Sequence, residues 1–218
     1  MILPDKIVRS NRKTLSVSID ARARIIVRAP YCFPEARIFS FLKEKEEWIL
    51  LQQQRAKTNQ ALFAPENLDG FSFPLLGSNV VVKLWEGRTV RFLNGALCLP
   101  QNNAKARLVK WLKENAKRIF SECAAFWAEK MGASYTSVSV SSARTRWGTC
   151  SAKNELRFSF RLLHARKEAI DYVVVHELSH TFHKNHQKAF WETVERFFPE
   201  WRKERRYLKQ NAVFMQIF

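Results

Sequence analysis

The 218 residues predict an α+β fold, on three observations. Short segments alternate apolar and polar residues at period two, near residues 7–28, 79–100 and 135–160. Two long stretches, 34–57 and 104–131, repeat apolar residues at helical spacing. From Glu168 to the end the pattern is helical. We divide the chain into a β-rich and helical N-terminal region, 1–100, and a catalytic α+β part, 101–218, and the two can share one core.

Taken in order, IVRS, TLSVSID and RARIIVRAP suggest two short antiparallel strands. They would be joined near Asn11-Arg12 or Asp20-Ala21, with Pro30 closing the run. Pro34 and Glu35 then open a helix to about Lys57, with a stripe from Ile38, Phe41, Leu42, Trp48, Ile49 and Leu51. APENLDGFSFPLLGSN (64–79) reads as a surface loop or a seam. NVVVKLW and TVRFLNGALCLP read as strands, with Glu86-Gly87-Arg88 as their hairpin turn. The next helix, Ala104 to Met131, should bury Leu108, Trp111, Leu112, Ile119, Phe126 and Trp127, and Gly132 suits its C-cap. YTSVSVSS and ELRFSF are strand-like and flank a polar, turn-rich insert, RTRWGTCSAKN. At the end, Pro199 separates two helical pieces.

Composition narrows the function. Lys and Arg number 37 against 20 Asp and Glu, a formal charge of +17 that favours meeting nucleic acid, nucleotides or other polyanions. The charge is spread along the chain and densest at 202–206. No apolar run reaches the roughly 18 residues of a membrane span, so no membrane partner is expected. The start, MILPDKIVRSNRK, lacks a secretory pattern, which makes the cytoplasm the expected location. Cys32, Cys98, Cys123 and Cys150 include no CxxC pair, so neither a disulfide framework nor a thiolate zinc site is expected. The sequence leaves the oligomeric state open.

The strongest chemical signal is VVVHELSH, residues 173–180. On a helix His176 and His180 project from one face and can grip one ion. Glu177 stands beside them, placed to take a proton from a metal-activated water. A structural zinc would fill all four positions and need no such glutamate. A third ligand is required. His183 lies on the same face but on the order of 10 Å from His176 by helical rise, too far to converge. His186 lies beyond Lys184-Asn185, where a left-handed asparagine would end the helix and turn the chain back, and it is the favoured third ligand. Glu192 or Glu195 are the alternatives, and His183 is left for contact with substrate. His164 carries no assigned role. Zn2+ follows from the ligand type, and other divalent transition metals also suit three histidines.

Before this helix, Arg144 and Arg146 could grip a carboxylate or phosphate, and Arg146 could stabilise an oxyanion. Alternatively Arg146 ties elements together and Trp147 fills core. Gly148 would let a ligand approach the backbone, and Cys150 reads as an incidental thiol.

The ordered segments RTRWGTCS, IDYVVVHELSH and NHQKAFWETVERFFPEWRKERRYL, within about residues 140–210, resemble the YgjP-like (DUF45) family of metal-dependent hydrolases, a zincin-type metallopeptidase family. The resemblance implies a zincin-like catalytic domain, His176, His180 and His186 as ligands, Glu177 as the catalytic carboxylate, and Trp147 and Gly148 shaping the cleft. Thr149 stands where serine is commoner and Ser179 where alanine is frequent. The +10 spacing is shared with metzincins, whose helix-ending glycine is here His183. The implied activity is zinc-dependent hydrolysis of a polypeptide. The alternatives are a nucleoside triphosphate pyrophosphatase of UTP type on the same site, or a nucleic-acid-associated protein with a secondary metal.

Overall fold

Alternation at residues 6–30 produces three strands, one more than the pattern suggested: β1 (Lys6–Ser10), β2 (Ser16–Ile19) and β3 (Ile25–Pro30). The computed structural model describes residues 2–20, 23–60 (58–60 by backbone alone) and 63–218. These form two compact units that divide at 63/64, ahead of the boundary near residue 100 that composition suggested.

In the first unit the sheet order is β1-β3-β2. β1 runs parallel to β3, so Asn11-Arg12 is not a hairpin turn. β2 pairs antiparallel with β3 from Ile19↔Ile25, which puts the reversal at the Asp20-Ala21 alternative, with Ala21 itself outside the described residues. The expected single helix is two, α1 (Glu35–Glu44) and α2 (Glu46–Gln60), because Lys45 leaves helical geometry at φ −101°. Ile25, Val27 and Ala29 alternate onto one sheet face and meet Ile38, Leu42 and Ile49 in a buried cluster.

The second unit contains two sheets and a layer of helices. Its first sheet comprises β4 (Ser72–Leu75), β5 (Ser78–Trp85), β6 (Arg91–Leu93) and β7 (Ala96–Pro100), in the order β4-β5-β7-β6. Glu86-Gly87-Arg88 does not make a hairpin, since β5 pairs parallel with β7 rather than with β6. The hairpins are at Leu76-Gly77 and Asn94-Gly95, where φ is positive at both residues of each pair (52° and 87°; 49° and 75°). This is the type I′ geometry that suits the twist of paired strands.

Helix α3 (Ala104–Met131) matches its expected bounds, and Gly132 caps it at φ 66°. Its buried line is Leu108, Leu112, Ala116, Phe120, Ala124 and Ala128, whereas Phe126 is exposed. The second sheet holds β8 (Ser137–Ser141), β9 (Gly148–Cys150) and β10 (Glu155–Ser159), in the order β8-β10-β9. β9 arises inside the segment expected to be a turn-rich insert. A one-turn 3-10 segment, Phe160–His164, leads into α4 (Lys167–Ser179), followed by α5 (Lys188–Phe197) and α6 (Trp201–Gln210), with Pro199 between them. The architecture is mixed α+β, consistent with a zincin-like catalytic fold. No described helix is long and apolar enough to cross a membrane.

Candidate metal centre

Helix α4 is buried on nearly every face. Ala169, Ile170, Tyr172 to Val175, Leu178 and Ser179 are all enclosed, so burial outweighs the weak helix propensity of three consecutive valines. Asp171 ties it to α3, accepting hydrogen bonds from Trp127 Nε1 (3.0 Å) and Cys123 Sγ (3.1 Å). Arg166, at its N-cap, grips the buried Glu204 of α6 through Nε (2.9 Å) and Nη2 (2.7 Å). The ligand helix is thus fixed at several points along its length.

The chain turns back sooner than expected. α4 ends at Ser179, and Thr181 Oγ1 donates to the Leu178 carbonyl (2.7 Å). Asn185 is not left-handed; its Oδ1 instead accepts from Gln187 N (3.2 Å). Lys184 crosses to the β9–β10 turn, donating to Ser151 O (3.0 Å) and Asn154 Oδ1 (2.5 Å). These bonds hold the reversal that returns His186 to the helix face.

His176, His180 and His186 converge, with one potential ligand atom from each lying within 4.8 Å of the others. Nε2 of His176 and Nε2 of His186 are 3.2 Å apart, where two lone pairs repel unless a proton or a cation lies between them. Nδ1 of His180 lies 3.0 Å from the His183 carbonyl, which favours the tautomer with Nε2 free to ligate. Phe190 closes the back of the site, its ring centroid 4.9, 4.5 and 4.7 Å from the three imidazoles in chain order. Burial, with the two neighbouring imidazoles, pushes the His176 pKa down to about 3, and burial also lowers that of His180. Neutral rings with converging nitrogens are what a divalent cation requires. The cluster is capable of holding one such ion.

Glu177 is 6% exposed, and burial lifts its carboxyl to about 8 in the absence of a cation. A divalent ion beside it pulls that value down again. Gly148, the first residue of edge strand β9, lies directly against this side chain. A Cβ at position 148 would sit 2.7 Å from Glu177 Cγ and Oε1, so only glycine leaves the carboxylate its place.

Of the other expected residues, two join the site and the rest lie apart from the imidazole cluster. Trp147 and Gly148 line a cavity of about 380 Å³ that also reaches His176 and Glu177. Arg144 donates to the Phe218 carbonyl (2.9 Å) and to Gln216 Oε1 (3.4 Å). Arg146 is exposed, with no hydrogen-bond or ion-pair partner among the described residues. His183 turns its Nε2 toward Thr193 Oγ1 (3.2 Å) and stays outside the cluster. Glu192 and Glu195 pair with Lys188 (3.6 Å) and Arg202 (2.6 Å). Burial raises the Cys150 pKa, which keeps the thiol protonated. His164 is a core residue packed edge-on against Phe73. Sequence reasoning missed Tyr172, Arg205 and Lys209, which line the same cavity. The i, i+4 spacing of Arg205 and Lys209 was the only available signal, and it does not say which face of α6 meets the site.

No curated protein and no solved structure matches the chain. Residues 13–211 match the profile of the family described as YgjP-like, metallopeptidase domain, and the chain belongs to that family.

Proposed function

We propose that the chain is a zinc-dependent hydrolase of the metallopeptidase type, with Glu177 as its general base. Family membership and the imidazole cluster together support metal-dependent hydrolysis. His176, His180 and His186 would hold the zinc ion, which would supply Lewis-acid chemistry to acidify water and polarise a substrate oxygen. Glu177 takes the proton from the attacking water and returns it to the leaving group. Phe190 packs against all three imidazoles, of which those of His176 and His180 are half-buried and that of His186 is exposed. Arg146, exposed on the segment before Gly148 and without a partner among the described residues, is the candidate to stabilise the oxyanion.

The observation that carries the peptide reading is β9. It is the edge of its sheet, it begins at the glycine that lies against Glu177, and an edge strand can receive an extended chain by backbone pairing. A second reading, a nucleoside triphosphate pyrophosphatase, draws support from the cavity beside Glu177. That cavity offers Trp147 and Tyr172 as flat surfaces and Arg205 and Lys209 as cations. Metal-loaded wild type and Glu177→Gln, assayed against a denatured protein and a panel of nucleoside triphosphates, separate the two. Loss of about 10²–10⁴-fold in the variant, on one substrate class, assigns that class. Equal hydrolysis by both proteins removes Glu177 from the role.

A further inference from the structure

We propose that Arg205, assisted by Lys209, forms an anion-binding subsite next to the reacting bond, which selects substrates carrying a phosphate or carboxylate there. The proposal rests on the hydrolase reading above and adds the substrate's charge to it.

The two cations stand four residues apart on one face of α6 and line the same cavity as His176 and Glu177. Among the described residues Glu177 is the only carboxylate lining that cavity, and in this reading it is engaged with the attacking water. Nearby arginines differ in being neutralised: Arg202 is paired with Glu195 at 2.6 Å and Arg166 with Glu204 at 2.7 Å. Arg205 has no carboxylate partner among the described residues.

Arg205 is exposed and rests beside an aromatic pair. Its guanidinium lies 5.2 Å from the Trp191 ring centroid and 6.0 Å from that of Trp201, and these two indoles stack on each other at 4.4 Å. Trp191 in turn lies 5.7 Å from the His176 ring. The same aromatic stack therefore supports both the metal ligands and the cation. A guanidinium beside aromatic rings keeps its fork of donors for a planar carboxylate or a phosphate. The anion would be a phosphate of a nucleotide or an acidic group of a peptide, and the chemistry of recognition is shared.

The test is calorimetric titration of the metal-free full chain with inorganic pyrophosphate and, separately, with succinate. Without metal, any saturable site is the protein's own. We expect one site per chain for at least one anion, weakened at least tenfold by Arg205→Gln and less by Lys209→Gln. Arg205→Lys should recover part of the loss. Pyrophosphate binding alone points to phosphate, and succinate binding alone to carboxylate. In the metal-loaded protein Arg205→Gln should raise KM more than it lowers kcat. Lys209 is exposed and Arg205→Lys keeps the charge, so these two variants keep the test readable if Arg205→Gln unfolds. Failure of both anions to saturate the wild type, or equal binding by folded variants, overturns the subsite. Anion binding that persists while Glu177→Gln hydrolyses as fast as wild type would instead sink the hydrolase reading and leave the subsite standing.

Discussion

Gly148 and Glu177 occupy one space: a methyl group on the first would fall 2.7 Å from Cγ and Oε1 of the second. The edge strand and the ligand helix are therefore fitted to each other at the carboxylate. The fit fixes where a proton can be taken up.

Gly148→Ala should accordingly displace the carboxylate and leave the imidazoles in place. A misplacement on the order of 1 Å can cost about 10²-fold in rate. We expect kcat to fall by about that factor, with zinc affinity within about threefold of wild type. Parallel rate measurements and chelator competition check this. Unchanged kcat would show that the side chain relaxes without consequence.

His183 and His186 should behave oppositely. His186→Ala removes a ligand and should weaken zinc binding well beyond the roughly 10–100-fold typical of an outer-shell change. His183→Ala keeps the backbone carbonyl that faces His180 Nδ1 and loses only the contact with Thr193, so affinity should change less than about tenfold. Competition against a chromophoric chelator reads both.

The Arg166–Glu204 pair clamps α4 to α6, the helix that carries Arg205. Glu204 is 2% exposed, and Arg166 also covers the Tyr207 ring at 4.3 Å. Arg166→Ala strands a buried carboxylate and should cost about 3 kcal/mol, near the low end for a broken buried pair because the arginine is itself part-exposed. Arg166→Met combined with Glu204→Leu should recover much of the loss. Urea denaturation of the single and double variants measures it.

Acid should destabilise the fold through His164. Its Nδ1 lies 2.8 Å from the Pro74 carbonyl, its Nε2 is buried without a partner, and burial pushes its pKa down to about 4. The unfolded chain takes up this proton near the ordinary value of about 6.5, before the folded one does. This contribution is therefore complete above pH about 6.5 and is lost as pH falls toward about 4, by about 3 kcal/mol. His164→Asn should remove that part of the slope between pH 7 and 4.5 in denaturant titrations of the metal-free protein. An unchanged slope would contradict it.

How much was legible in the sequence depended on the range of the interaction. Helix α3 and the pair His176 and His180 follow from local periodicity, and the expected reversal past Lys184-Asn185 pointed to His186, although Asn185 does not take the left-handed conformation on which that expectation rested. Strand β9 did not show, because Gly148, Thr149 and Cys150 have no apolar alternation and become a strand only by pairing with β10. The parallel pairing of β5 with β7 was equally hidden, since it joins segments separated by β6 and its Asn94-Gly95 turn. Phe126 fits a helical stripe yet is exposed, because the buried line runs along Leu108, Leu112, Ala116 and Phe120. Arg205 looked like any other charge on an outer helix. Only the fold brings it to the cavity that Glu177 also lines.

The most direct test of the metal centre is X-ray absorption at the zinc edge on the purified full chain, with elemental analysis of the same sample. The account requires one zinc per chain, with three imidazole nitrogens at about 2.0–2.1 Å and oxygen completing the shell. A sulfur shell near 2.3 Å, fewer than three imidazoles, or no retained zinc after loading would contradict it.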